Sequence, residues 1–313
     1  MNQYKPFPAK TIPELRHTLV SYHRRVTPTL WTQMLTLGKG GLFWIPTRWA
    51  HLPHHQIAAH LANAEAERVQ NAQLFSITRS ATVEAITAGK VLPRFVLHPA
   101  HLPAEHGLLV WDEPIDVAYG GNDPIVACSW GPYENEQVWV SFYVDGRQAT
   151  ATLKGTARVE AEQILHPLGF EREIVLPFGQ RKWYSQQPGF ERLANDYEKA
   201  LRTLLATWLH MGQERLTHTS SEPADAKSRV ARTLAKRGRP LPPVKVVTLR
   251  PTEPASEQGR GQGRKLTKRV EVGAYWRRRP HATGDGPEDM VWVCGHERGP
   301  EDAPASGGVV VKR

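Results

Sequence analysis

The segment "QVWVSFYVDG", residues 137–146, predicts a strand at the centre of a sheet. Successive side chains of a strand point to opposite faces, so Trp139, Ser141 and Tyr143 share one face and the aliphatic and aromatic residues between them share the other. Both faces are largely apolar, which is typical of a strand that is covered on both sides. The Asp145-Gly146 pair predicts a tight hairpin into residues 147–153.

The flanking sequence extends this strand into a sheet. Two further short runs, "GLLVWDEP" and "PIVACSW", are rich in β-branched and aromatic residues. The segments "YGGND" and "GPYENE" separate the runs and have the composition of turns. These features predict an antiparallel β-meander from about residue 92 to residue 153.

Helical patterns lie on both sides of the predicted meander. Thr11 and Glu14 have the spacing of a capping box, which predicts a first helix beginning there and a second helix ending at Gly38. A third helix is predicted from about residue 53 to residue 78. The strongest pattern runs from Phe190 to Met211, where apolar residues recur every three or four positions.

The sequence therefore predicts an α+β fold. In residues 1–217, N-terminal helices and a long C-terminal helix pack on the antiparallel meander. Residues 218–243 are predicted to be a basic linker with a short helix over 227–238. Residues 244–313 are predicted to be a small basic β module that the strand "VKVVTLR" can join, with a flexible insert at about 251–265.

Positive charge is concentrated in the last third of the chain. The net charge is +9, and residues 219–313 carry nineteen Lys and Arg against eleven Asp and Glu. Such a region attracts polyanions through contacts that salt weakens. The charge alone does not specify the partner.

The sequence favours a cytoplasmic protein. The two cysteines, Cys128 and Cys294, are too few for a disulfide framework. No apolar run reaches the length of about 20 residues that a membrane span needs. The first ten residues lack the apolar core of a signal peptide.

No motif predicts an enzyme, a metal site or a cofactor. The cluster His51, His54, His55 and His60 lacks metal-ligand spacing and an acidic partner, so we expect solvated histidines. Neither Ser129 nor Ser141 lies in the glycine-flanked elbow of an esterase, and we expect no catalytic residue.

One enzymatic alternative stays open. It is a nuclease in which Asp112, Glu113 or Glu297 holds a metal ion.

Aromatic and basic residues are the candidate binding residues. In the predicted β module they are Tyr275, Trp276, Arg277, Arg278, Arg279, Trp292, His296 and Arg298. Flat rings beside guanidinium groups can stack bases and bind phosphates, and the same residue types dominate protein interfaces. The two tryptophans can also form the core of the module. Trp111 and Trp130 of the meander are candidates for a peptide groove, although most tryptophans of the meander are expected in the core.

Two segments resemble a known group of proteins. They are "EVGAYWRRRPHATGDGPEDMVWVCGHERGPEDAP" (271–304) and "HLPAEHGLLVWDEPI…ACSWGP…VWVSFYVD". Both resemble uncharacterised proteins of actinobacteria and mobile elements and are more distantly similar to a type V-A anti-CRISPR family. That family stops production of its Cas nuclease by engaging the nascent polypeptide and provoking loss of the message. The matching positions are Trp276, Arg277, Pro280, Trp292, His296, Gly299, Pro300, Glu301 and Asp302.

The resemblance has one departure. Where the family has Arg-Gly-His before the tryptophan, this chain has Gly273, Ala274 and Tyr275. If the family's histidine contacts the partner, either Tyr275 substitutes for it or the function of this chain differs from that of the family.

The resemblance implies a non-enzymatic binding or inhibitor protein of a phage or mobile element. Its body would recognise a protein or nascent peptide, and its basic module would contact RNA or the ribosome. The alternative is a DNA- or RNA-binding regulator that acts through the basic C-terminal region.

Overall fold

A computed structural model describes residues 4–40, 43–117, 123–134, 136–147, 165–180, 190–251, 269–279, 289–298 and 304–310. For residues 117, 190–197, 289, 298 and 305–310 it describes the backbone alone. The helices in these ranges are α1 (Ile12–Arg25), α2 (Thr27–Thr36), α3 (His54–Asn71), α4 (Arg79–Lys90), α5 (Phe190–Met211) and α6 (Arg229–Lys236).

The strands group into one large sheet and two small ones. The large sheet contains β1 (Gln73–Ile77), β2 (Gly107–Trp111), β3 (Asp116–Val117), β4 (Pro124–Tyr133), β5 (Gln137–Asp145), β6 (Leu168–Pro177), β7 (Thr217–Glu222) and β8 (Val244–Leu249). The small sheets contain β9 (Arg269–Val272), β10 (Tyr275–Arg279), β11 (Asp289–Val293), β12 (His296–Arg298) and β13 (Ala305–Val310).

The large sheet is mixed. Its strand order is β6-β5-β4-β2-β1-β8-β7, with β3 beside β4. β1 runs parallel to both of its neighbours, β2 and β8, and the other pairs are antiparallel. The α+β class is confirmed, but the purely antiparallel meander is wrong because a parallel centre lies beside it.

Helices cover both faces of this sheet. On β2, Leu108 and Val110 belong to the same buried cluster as Leu15 and Leu19 of α1. Trp111, on the opposite face of β2, donates a hydrogen bond from Nε1 to Thr207 Oγ1 of α5 at 3.3 Å. Tryptophans and aliphatic residues of β2, β4 and β5 are therefore enclosed between two helical layers.

The strand β5 lies where the sequence predicts a central strand. It pairs with β4 on one side and β6 on the other, and every residue from Val138 to Asp145 is buried. After β5 the chain turns at Gly146, where a Cβ atom would lie 2.5 Å from the carbonyl oxygen of His166. The predicted hairpin partner, residues 147–153, lies outside the described residues beyond Arg147.

The predictions for the helices differ in their outcome. The strongest one is confirmed by α5, with the predicted bounds. The first helix begins as predicted, but Thr11 makes no capping bond and its hydroxyl donates to Pro8 O at 2.7 Å. The third predicted helix, 53–78, is too long, because α3 ends at Asn71 and Ala72 has an extended backbone.

Two strands of the large sheet come from regions that the sequence assigns to the linker and to the β module. Strand β7 falls in the predicted linker, and β8 falls in the predicted β module. β8 pairs with β1 because β1 has a free edge there, and Val244 and Val247 become buried. The body therefore extends to residue 249, and the predicted flexible insert lies outside the described residues except for residue 251.

Candidate functional site

Trp111 and Trp130 are core residues. Both side chains are fully buried, and the Nε1 atom of Trp130 donates to Ala104 O at 2.8 Å. The Trp130 ring packs edge-on against Trp208 of α5, with 5.2 Å between ring centroids. Burial therefore corrects the prediction that Trp111 and Trp130 line a binding surface.

Trp276 and Trp292 dock the small sheets on the body. The two rings contact each other, with 5.2 Å between centroids, and both lie against the buried ring of His210 of α5. Trp276 Nε1 donates to Ala88 O at 2.8 Å, and Trp292 Nε1 donates to Glu84 Oε1 at 2.6 Å. Of the alternatives that the sequence leaves open, these contacts favour packing in a core, and that core is shared with α4 and α5.

The three arginines of β10 lie at the surface. Arg277, Arg278 and Arg279 are exposed, and Arg278 Nη2 donates to Arg94 O at 2.8 Å. Tyr275 is half-buried at the start of the same strand. This row of guanidinium groups keeps a positive surface beside the docked tryptophans.

The remaining predicted residues are only partly described. His296 is half-buried, and its Nδ1 lies 3.1 Å from Cys294 O. Arg298 is described by its backbone alone. Five positions of the resemblance fall outside the described residues: Pro280, Gly299, Pro300, Glu301 and Asp302.

A buried polar cluster lies between α3 and the large sheet. Its centre is Glu65 of α3, whose carboxylate accepts hydrogen bonds from Arg68, from Tyr143, from Ser129 at 2.5 Å and from Ser141 at 2.8 Å. Glu65 has no exposed surface. Four donors compensate the loss of water around this carboxylate.

The second acid of the cluster, Glu173 of β6, is also fully buried. Its Oε1 lies 3.5 Å from Arg68 Nη2, and its Oε2 accepts a hydrogen bond from the backbone N–H of Trp44 at 3.2 Å. Arg68 therefore contacts two buried carboxylates. The cluster extends to His23 of α1, whose Nε2 lies 3.4 Å from Tyr143 Oη.

The surroundings shift the pKa values of Glu65 and Glu173 in opposite directions. Burial opposes the charge of Glu65, but Arg68 and the hydroxyl donors outweigh it and lower the pKa of Glu65 to about 2. Burial raises the pKa of Glu173 to about 8, against the opposing effect of Arg68. Burial lowers the pKa of His23 to about 4. At neutral pH the cluster thus holds one ion pair, a protonated Glu173 and a neutral His23.

An open groove lies beside the cluster, at the turn between β4 and β5. Its volume is about 320 Å³, and we call it the hairpin groove. Its lining includes Trp49, Glu67, Arg68, Tyr133, Glu134 and Trp139. Among the described lining residues Arg68 is the one that also belongs to the buried cluster, so the cluster fixes the floor of the groove.

Aromatic rings form the walls of the hairpin groove. The Arg68 guanidinium lies over the Trp139 ring, 4.1 Å from its centroid. Tyr133 packs edge-on against Trp139, with 5.0 Å between centroids. Trp49 stacks on His60, also at 5.0 Å. Because each ring has a packed neighbour, the walls are held in place before anything binds.

The rim of the groove carries both signs of charge. Arg48 stacks on Trp49 and forms an ion pair with Glu134, and Glu67 is exposed. Such a surface combines aromatic contact area with donors and acceptors. Neither of the two buried carboxylates, Glu65 and Glu173, lines the groove.

Other candidate sites are weaker. Glu113 pairs with Arg79 at 2.6 Å, and burial raises the pKa of Asp112. Within the part of the chain that the structure describes, no three His, Cys, Asp or Glu side chains are arranged to hold a metal ion. None of the described helices is both long enough and apolar enough to cross a membrane.

A second cavity of about 690 Å³ lies beside α1. It is lined by Tyr22 and His166, and Arg147 and Leu165 stand where the undescribed segment 148–164 begins and ends. Both ring nitrogens of His166 have hydrogen-bond partners within the protein. Nδ1 accepts from Leu168 N at 3.0 Å, and Nε2 lies 2.9 Å from Thr18 Oγ1. The hairpin groove, with its half-exposed rings and charged rim, is therefore the stronger candidate for a binding site.

The buried cluster is not among the sequence-based predictions, although a signal for it exists. Glu65 lies four residues after Leu61 and four before Val69, on the apolar face of the predicted helix. A charged residue at such a position needs a buried partner. Arg68, one turn later, is the first candidate, whereas Glu173 is more than a hundred residues away.

Comparisons with known proteins give no relative: no family model, no curated protein and no solved structure matches this chain.

Proposed function

We propose that the protein is a non-enzymatic binding protein that takes up a segment of another polypeptide in the hairpin groove. The observation that supports this most is the pairing of half-exposed aromatic rings, Trp49 and Tyr133, with a fixed arginine on the groove floor. Trp, Tyr and Arg are the residues that contribute most to protein interfaces. A volume of about 320 Å³ accommodates one or two side chains of a bound segment.

The charges of the groove favour a polypeptide over a nucleic acid. Glu67 and Glu134 on the rim would repel a phosphate backbone. A polypeptide offers side chains of both signs and backbone amides, which match the mixed rim. The partner is therefore a protein or nascent peptide.

A peptide-library selection on the full chain tests the groove directly. The selected peptides are then titrated against the double variant W49A/Y133A and against Tyr22→Ala, a control in the cavity beside α1. Loss of two interface aromatics reduces affinity by at least about 30-fold, or about 2 kcal/mol. The Tyr22 control keeps its affinity. Equal binding by all three proteins would rule out the groove.

The resemblance of residues 271–304 supports a more specific role. In this proposal the protein acts in the cytoplasm as an anti-CRISPR-like antagonist encoded by a phage or mobile element. Co-expression with a type V-A Cas nuclease then lowers both the nuclease and its message. The W49A/Y133A variant does not lower them. Unchanged message and nuclease levels with the wild-type chain would refute this role while leaving peptide binding testable.

A contact with RNA or the ribosome is the second element of the proposal. The exposed arginines of β10 favour it. The same observation supports the alternative, a DNA- or RNA-binding regulator that acts through the C-terminal region. Binding measured after nuclease treatment distinguishes a nucleic-acid-binding regulator from a polypeptide binder. The regulator loses its partner, and the polypeptide binder keeps it.

A further inference from the structure

The most uniformly charged part of the described surface surrounds α6. From Ala226 to Arg250 the chain carries eight Lys and Arg and no Asp or Glu. Three of these cations, Arg229, Arg232 and Lys236, lie on α6 itself and are exposed. The structure pairs none of the three with a carboxylate among the residues that it describes.

These three cations share one face of the helix. At 3.6 residues per turn, Arg229, Arg232 and Lys236 point within about 60° of one another. Val230 and Leu234, on the other side, are half-buried. The apolar side of α6 is thus the less exposed one, and its cationic side faces solvent.

The helix is built to a defined length. The Ser228 side chain caps its start by accepting a hydrogen bond from Ala231 N at 3.1 Å. At its end, Gly238 adopts a φ of 71°, and Arg239 N donates to Leu234 O at 3.0 Å, which is the closing pattern of a helix that stops at a glycine. The backbone that precedes α6 is tied to the N-terminal segment by Asp225 N, which donates to Lys10 O at 2.9 Å.

We infer that the exposed face of α6 binds the phosphate backbone of a nucleic acid. The inference deepens the proposed contact with RNA, on which it rests, and assigns that contact to α6 rather than to β10. The rise of 1.5 Å per residue places Arg229 and Lys236 about 10 Å apart along the axis. Each strand of a duplex places one phosphate per 3.4 Å of the duplex axis, so a helix lying along that axis faces about three phosphates of one strand.

Two other partners fit the geometry less well. A membrane surface would need a broad exposed apolar face on the helix, but the large apolar residues of α6 are Val230 and Leu234 alone, and both are half-buried. An acidic polypeptide would meet a face without hydrogen-bond acceptors or aromatic anchors, whereas phosphate binding needs only donors and positive charge.

The test uses the full chain with three substitutions, R229Q, R232Q and K236Q. Glutamine keeps a good helix propensity at these exposed positions, so the fold is retained. The matched control removes three exposed lysines elsewhere, K5Q, K39Q and K90Q, with the same loss of net charge. A second variant, R229K/R232K, retains the charge of α6.

Binding is measured with labelled single-stranded RNA, single-stranded DNA of the same sequence and a DNA duplex. Loss of three phosphate contacts reduces the slope of log affinity against log salt by about 2 for single strands and about 2.7 for the duplex. The wild-type chain then loses about 20- to 40-fold more affinity than the α6 variant between about 50 and 200 mM salt. The lysine control and R229K/R232K keep the wild-type slope.

Three results would overturn the inference. The first is an α6 variant with the wild-type slope, and the second is an equal decrease in the lysine control. The third is displacement of RNA by polyglutamate at the same charge concentration. A parallel titration with a selected peptide distinguishes loss of phosphate binding by α6 from loss of peptide binding in the hairpin groove. The α6 variant has an unchanged groove and is expected to bind the peptide as the wild-type chain does.

Discussion

At the scale of single residues, Arg68 joins the buried acids Glu65 of α3 and Glu173 of β6 in one cluster. Its guanidinium contacts Glu65 and Glu173 on one side and the ring of Trp139 on the other. Arg68 thus connects the interior of the protein to the floor of the hairpin groove. A change at this residue affects stability and binding together.

Arg68→Met is expected to lower the free energy of unfolding by about 3 to 5 kcal/mol, because it leaves Glu65 as a buried charge without its cation. Urea unfolding followed by tryptophan fluorescence measures this loss. The double variant E65Q/R68M recovers part of it. Arg24→Met, an exposed control on α1, changes the value by about 0.5 kcal/mol or less. A loss for R68M as small as that of the control would contradict the assignment.

Glu173 gives the stability a pH dependence of its own. Its pKa is about 8 in the folded protein against an ordinary value of 4.5, so the folded chain retains a proton that the unfolded chain has released. Stability from this group is complete below about pH 4.5 and is lost as the pH rises toward 8. Glu173→Gln therefore removes a decrease of about 1 kcal/mol between about pH 7 and pH 8, where the folded carboxyl itself begins to lose its proton.

The measurement for Glu173 is a series of urea unfolding curves across this pH range. Glu67→Gln, an exposed acid on the same helix as Glu65, serves as the control and keeps the wild-type slope. The histidines do not interfere, because His23, His166 and His210 have lowered pKa values and act on stability below about pH 6.5. Identical slopes for E173Q and the wild-type chain would show that Glu173 is ionised in the folded protein.

At the scale of elements, the tryptophans of β10 and β11 act as anchors. Trp276 and Trp292 pack against His210 of α5, their Nε1 atoms donate two hydrogen bonds to α4, and Trp292 N donates a third to Gln213, just after α5. The close approach of α4 to α5 supports this platform, since a Cβ atom at Gly89 would lie 3.0 Å from Thr203 N. The sheet of β10 and β11 is therefore anchored on the body by these two side chains together with the buried Met290.

Trp292→Ala is expected to release β9 to β12 from the body while the large sheet stays folded. Hydrogen exchange measures this as a loss of amide protection in residues 269–279 and 289–298 and unchanged protection in β2, β4 and β5. Arg277→Ala, exposed on β10, is the control and changes neither region. Equal loss of protection across the chain would indicate one cooperative unit instead.

The elements that the sequence predicts well are those with a strong local pattern. The period of α5 and the alternation of β5 both come from apolar residues that face a nearby layer. The sequence pattern does not predict β1 or α4, because the five residues of β1 follow directly after an alanine-rich helix and read as its continuation. The only local break is the extended backbone at Ala72. The pairing of β8 with β1 joins residues about 170 positions apart, and no local pattern encodes it.

The candidate site was predictable only in part. The exposed arginines of β10 follow from the sequence, whereas the burial of Trp111 and Trp130 depends on α5 covering them. The hairpin groove assembles residues from four separate segments. Such a site is a property of the fold, and no stretch of the sequence contains it.

At the scale of the whole molecule, charge and groove occupy different parts of the chain. Residues 219–313 carry a net charge of +8, and the hairpin groove is formed by residues 48–139 with mixed charge. Removal of residues 219–313 would not separate the two functions cleanly, because β7 and β8 lie in that segment and belong to the large sheet. Point substitutions at the surface are the better tool.

The most direct test places a benzophenone amino acid at position 133, on the wall of the hairpin groove, and at position 22 as the control. After irradiation in nuclease-treated host lysate, we expect a covalent adduct at position 133 that protease destroys, and none at position 22. An adduct at both positions, no adduct at position 133, or an adduct that forms only when RNA is intact would contradict polypeptide binding in the groove.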